Sequence, residues 1–119
     1  MDIKKWLESI GKSIDSMNAD NFVQYLTDDC TFRFGNQPDV KGKIATRDYV
    51  AGFFKLIGGS EHKLINFWTA DNTVVWQGEV LYTRLDGNKV SINFVNIFYM
   101  NNELIKDYLI YIDNSPLFA

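Results

Sequence analysis

Hydrophobic positions follow a helical period in the first part of the chain and a strand-like alternation in the second. Ile3, Trp6, Leu7, Ile10, Ile14 and Met17 recur at helical spacing with Lys and Glu between them, which predicts an amphipathic first helix. Asn18 or Asp20 is placed to cap a short second helix, NFVQYL, burying Phe22, Val23 and Leu26. CTFRF then alternates like a strand, and GNQPDVKGK, with Gly35, Pro38 and Gly42, reads as a loop. IATRDYVAGFFKLI is a third helix with Ile44, Val50, Phe53, Phe54 and Ile57 on its apolar side, ended by Gly58-Gly59. SEHKLINFWTA opens a run of strands that lasts to the C-terminal region.

Tight-turn signals divide that run into an antiparallel meander. Asp86-Gly87 and Asn101-Asn102 each read as a two-residue hairpin turn, and Asp71-Asn72 as a third. Counting outward from such turns fixes register. Leu85 then faces Asn88, so Glu79 faces Phe94 and Gln77 faces Asn96. Met100 faces Glu103, so Asn96 faces Asp107 and Phe94 faces Leu109. From Asp71-Asn72, Trp68 faces Val75, Asn66 faces Gln77, Leu64 faces Glu79 and His62 faces Leu81. The expectation is a polar row, Asn66, Gln77, Asn96 and Asp107, across the helix-covered face of four strands, in the manner of a pocket lining. The opposite, convex face would carry Ile65, Phe67, Trp76, Val80, Tyr82, Val95, Ile97, Tyr99, Tyr108, Ile110 and Ile112. Three short helices cover only one face of such a sheet, so the other is expected to bury against a second copy as a homodimer.

Composition narrows the class. The 119 residues are 46% hydrophobic and 15% aromatic, which suits one folded domain spanning 1–119. A net charge of −3 without a Lys/Arg cluster argues against nucleic-acid partners. No apolar run approaches the roughly 20 residues of a membrane helix, and the N-terminal stretch lacks a signal-peptide h-region. Cys30 is the single cysteine, which fits a reducing, cytoplasmic setting. No His/Asp/Glu set has metal-ligand spacing, and no motif calls for a cofactor; KGK at 41–43 lacks the glycine spacing of a phosphate loop.

The order of elements, carried by MNADNFVQYLTDDCTF, VKGKIATRDYVAGFF and the stretch from VVWQGEVLYTRLDGNKV to DNSPLF, resembles the SnoaL-like branch of the nuclear-transport-factor-2-like superfamily. The resemblance implies an α+β, cone-shaped, cystatin-like fold with three N-terminal helices on a curved antiparallel sheet. That superfamily includes ketosteroid isomerases, epoxide hydrolases, polyketide cyclases and non-enzymatic binding domains, so fold alone does not specify a reaction. The isomerase oxyanion acid maps to Asn96, its general base falls near Arg33 and Phe34, and its tyrosine falls near Lys12, so that machinery is missing. The epoxide-hydrolase set has no arginine partner here, since Arg84 counts to the other face. The single late-strand acid of the SnoaL-type cyclases has its nearest counterpart in Asp107.

Asp107 is therefore the candidate acid/base, for isomerase, cyclase or hydrolase chemistry on a small apolar carbonyl or hydroxyl compound. A carboxylate held in a structural polar network is the alternative. His62, Asn66, Gln77, Glu79, Phe94, Asn96, Leu109 and Tyr111 are the candidate ligand-binding residues, with Glu79 either a second acid or a rim charge and His62 either lining or base. Cys30 reads as a core residue. A non-catalytic ligand-binding or dimerisation domain is the competing reading.

Overall fold

A computed structural model describes residues 1–119. Helices α1 (Ile3–Asp15), α2 (Ala19–Val23) and α3 (Lys43–Phe54) pack on a sheet of β1 (Leu26–Phe34), β2 (Val40–Lys41), β3 (Ile57–Ala70), β4 (Thr73–Arg84), β5 (Lys89–Asn101) and β6 (Leu104–Ile112). Strand order is β2-β1-β6-β5-β4-β3, and only the β1–β6 pair is parallel. Asn18 caps α2, its side-chain oxygen accepting from the Asp20 and Asn21 amides. Leu26 lies at the start of β1 rather than in α2, and Gly58 and Gly59 lie inside β3 rather than beyond a helix. A Cβ on Gly58 would come within 3.0 Å of the Arg84 carbonyl oxygen, so Gly58 serves strand approach.

The helices cover one face of the sheet, α1 over β3 and α3 over β1. That inner face alternates strictly in β4 and β5: Val74, Trp76, Gly78, Val80 and Tyr82, then Ile92, Phe94, Asn96 and Phe98, are all buried. Leu7 and Ile10 of α1 and Phe22 of α2 close on it. Gly78 is obligatory, because a Cβ there would collide with the Phe94 ring and lie 2.6 Å from the Lys63 carbonyl oxygen.

Register departs from the turn count at three places. The β4–β5 loop has three residues, Leu85–Gly87: the Arg84 amide bonds the Asn88 carbonyl at 2.8 Å and Gly87 takes φ +87°. Gln77 therefore faces Val95, and Trp76 faces Asn96. The β5–β6 turn is Asn102-Glu103, and a bulge between Tyr99 and Met100 moves the pairing by one more residue. Asn96 faces Ile110, and Asp107 faces Tyr99. The Asp71-Asn72 turn is as expected, and Trp68–Val75 and Asn66–Gln77 are paired. A bulge at Ile65 then shifts the remainder, so His62 faces Val80. Each one-residue slip turns a strand over. Trp76, Val80, Tyr82, Tyr108 and Ile110, expected on the convex face, thus belong to the inner face.

Candidate functional site

The same slips rearrange the expected site. Asn96, Phe94 and His62 line a cavity between helices and sheet. Asp107 does not: it stands half-buried on the outer face beside Thr31 of β1, while its neighbour Tyr108 is buried. Gln77, Glu79, Asn66, Leu109 and Tyr111 are also on the outer side. Asn66 there accepts from the Phe67 amide, and Tyr111 accepts from Arg33 at 3.0 Å. The expected polar row is divided between two faces, and no Asn96–Asp107 contact exists.

What the cavity has instead is a histidine–carboxylate pair. Asp15 ends α1, four and eight residues beyond the buried positions Gly11 and Leu7, so the inward stripe of the helix delivers it to the sheet. A carboxylate at a helix C-terminus opposes the helix dipole, by about 0.3–1 kcal/mol. Hydrogen bonds offset this. Asp15 Oδ1 accepts from the Ser60 hydroxyl at 2.8 Å, Oδ2 accepts from the His62 amide at 2.8 Å, and Oδ1 lies 2.6 Å from His62 Nδ1. Gly11 packs against the same junction: a Cβ there would stand in ordinary contact, 3.4 Å from Trp76 and 3.5 Å from the His62 Cβ.

The electrostatics follow from that geometry. Burial works to raise the Asp15 pKa, but the hydrogen bond and charge of His62, its backbone N–H and the Ser60 hydroxyl together hold it below the ordinary 3.8. An ionised Asp15 accepts the Nδ1 proton, which leaves the lone pair of the neutral imidazole on Nε2. Nε2 makes no hydrogen bond with the protein. The His62 side chain is 11% exposed and is clamped by the rings of Phe94, Trp76 and Tyr82, with centroids 5.6, 6.2 and 6.5 Å away.

Around the cavity are two phenols and an amide. Burial raises the pKa of Tyr82 well above the ordinary 10.0, with the Asp15 charge adding. Tyr108 is raised further, mainly by burial. Both remain protonated hydrogen-bond donors at neutral pH. Asn96 is 2% exposed; its Nδ2 donates weakly to the Tyr108 hydroxyl at 3.5 Å, and its Oδ1 has no partner. The cavity measures about 40 Å³, and 13 of its 16 lining residues are hydrophobic. The cavity thus sets a free imidazole nitrogen, a proton acceptor, beside protonated phenols, which are donors, within an aromatic wall.

Because Asp15 is depressed in the folded state, its contribution to stability is complete above the ordinary 3.8 and is lost as pH falls below it. Urea unfolding at pH 6 and pH 3 is expected to show a larger acid loss for the native chain than for Asp15→Asn. Equal losses would mean that Asp15 is not held as described.

Three helices on a six-stranded mixed sheet around such a cavity define an α+β cone of nuclear-transport-factor-2-like type. The chain belongs to the SnoaL-like domain family, whose model matches residues 5–108. Among solved structures it is similar to a hypothetical protein of ketosteroid-isomerase-like fold from Catenulispora acidiphila in complex with trimethylamine, with TM-score 0.81 and 10% identity over 88% of this chain and 82% of that one. It is similar to an epoxide hydrolase of M. tuberculosis, with TM-score 0.77 and 15% identity over 94% and 83%. A third is TerC co-crystallised with polyporic acid, with TM-score 0.82 and 16% identity over 98% and 94%. At these identities the likeness concerns the fold. Sequence comparison with the curated proteins finds no match.

Proposed function

We propose that this SnoaL-like domain binds a small, mostly apolar carbonyl compound and moves a proton on it, with His62 as general base. The observation that carries the reading is the free Nε2 of His62 beside the cavity while Asp15 holds Nδ1. In the proposed step, Nε2 takes a proton from the carbon next to the carbonyl. The electron pair moves onto the carbonyl oxygen, which accepts a hydrogen bond from the Tyr82 or Tyr108 phenol. The imidazolium, stabilised by Asp15, then returns the proton to another atom, as in an isomerisation or ring closure. The role first assigned to Asp107 passes to His62. Ligands or reactions in the names of two similar structures, polyporic acid and epoxide hydrolysis, support small-molecule chemistry in this fold. The test is deuterium uptake from solvent at the α-carbons of simple cyclic ketones, followed by proton NMR. Uptake that depends on His62 supports the reading; uptake equal to that of the His62→Gln chain contradicts it.

A non-catalytic domain that serves dimerisation is the second reading, favoured by the small size of the cavity, about 40 Å³. We further propose that the chain is a single cytoplasmic domain that forms a homodimer. The proposed dimer face is Val95, Ile97 and Leu109, with exposed Ile65, Trp68, Tyr99 and Tyr111 around them. Ile97 and Leu109 face each other across β5 and β6. Replacing both with Lys is expected to halve the particle mass in light scattering. A native chain that is already monomeric at micromolar concentration would refute the dimer.

A further inference from the structure

We infer that the substrate is a neutral two-part molecule, with a carbonyl head that reaches His62 and a ring-bearing tail that occupies a second cleft at the end of the fold where β1 and β6 stop. The head rests on the proton-transfer reading above; the tail site rests on separate observations. The cavity at His62, about 40 Å³, is small against the roughly 150 Å³ that lets a dry apolar cavity hold benzene. A second void of about 530 Å³ adjoins it. That size is within the roughly 300–1,000 Å³ of ordinary ligand sites. Phe34, Phe53 and Ile112 wall both voids.

The partition is an aromatic pair. The rings of Phe34 and Phe53 have centroids 4.9 Å apart and are tilted by 56°. Both are only partly buried, and both stand at the ends of their elements: Phe34 closes β1, and Phe53 is the penultimate residue of α3. Element ends are where local opening is easiest. Rotation of the Phe53 ring away from Phe34 joins the two voids and gives His62 access to something larger than water.

The lining of the cleft sets the chemistry of the tail. Tyr49, Leu56 and Phe118 offer apolar surface for a ring. Asn36, Gln37 and Asn114 offer neutral hydrogen-bonding groups, and the Asn114 Oδ1 is buried with no partner. Such an acceptor gains from a ligand hydroxyl or N–H. Asp113 is the one charged lining residue, and no lysine or arginine lines either void. A neutral tail is accepted, and an anionic one meets a like charge with no cation to offset it.

The test compares three ketones by NMR titration of the full labelled chain: cyclohexanone, 4-phenylcyclohexanone and 4-(4-oxocyclohexyl)benzoate. The phenyl ketone is expected to bind about tenfold more tightly than cyclohexanone, as burial of a phenyl ring implies. It should shift the His62 ring together with the Gln37 and Asn114 side-chain amides. The benzoate should lose most of that gain. Phe53→Leu, which thins the partition, should speed association of the phenyl ketone. Equal affinity for cyclohexanone and the phenyl ketone, shifts confined to one void, or no binding of the phenyl ketone would each overturn the tail site. If the phenyl ketone fills both voids but shows no His62-dependent α-proton exchange, the tail site stands and the proton-transfer reading falls.

Discussion

Substituting His62 with Gln is expected to lower proton exchange on a bound ketone by about 100- to 10,000-fold, the usual contribution of a positioned general base. The fold should survive, since glutamine can still bond Asp15. Asp15→Asn should cost about as much although it never touches the ligand. The His62 backbone amide needs an acceptor, and Asp15 Oδ2 supplies it at 2.8 Å. An asparagine would turn its oxygen to that amide and its NH2 group toward Nδ1. The ring proton would then move to Nε2, and the cavity would face a donor in place of a base. Asp15 is thus a positioning residue, and Asp15→Glu should not rescue it, because the longer side chain cannot keep both bonds. A rate loss for His62→Gln with an unchanged rate for Asp15→Asn would show that the imidazole is not oriented by this carboxylate.

Trp76→Ala should destabilise the chain by about 3–5 kcal/mol, against a total of about 5–15 kcal/mol for a domain of this kind. Trp76 is 1% exposed and meets the rings of Phe94 at 5.3 Å, His62 at 6.2 Å and Phe98 at 6.4 Å. Its edge also packs against Gly11 of α1. Truncation empties this junction and loosens the seat of Asp15 together with the core. Trp76→Phe should be far milder. The indole N–H has no partner, so removing it relieves a penalty of about 1–3 kcal/mol that offsets part of the lost volume. Urea midpoints measure both. A small loss for the alanine variant would mean that the inner face is less tightly packed than described.

The elements themselves were legible. The helical stripe through Leu7 and Ile10, the Asn18 cap and the four long strands all stand near where periodicity and turn residues place them. The face of each strand was not legible from turn counting, because a three-residue loop at Leu85–Gly87 and bulges at Ile65 and at Tyr99–Met100 each add one step. A better signal was present. In β4 the even positions Val74, Trp76, Val80 and Tyr82 are apolar, whereas the odd ones include Gln77 and Glu79. Alternation along one strand outranks the length of a turn, because burying the apolar set is worth more than an ideal hairpin geometry. It would have placed Gln77 and Glu79 outside. The Asp15–His62 pair joins residues that no local pattern connects, since it forms only when α1 lies on β3. The faint trace of it is the Leu7, Gly11, Asp15 spacing, an inward stripe that ends on an acid.

His62 is the only histidine in the chain, so its ring nitrogens can be read without ambiguity in a long-range proton–nitrogen NMR spectrum. The neutral ring is expected to carry its proton on Nδ1, with Nε2 unprotonated, and Asp15→Asn to reverse the assignment. A neutral ring protonated on Nε2 in the native chain would mean that Asp15 does not present His62 to the cavity as a base.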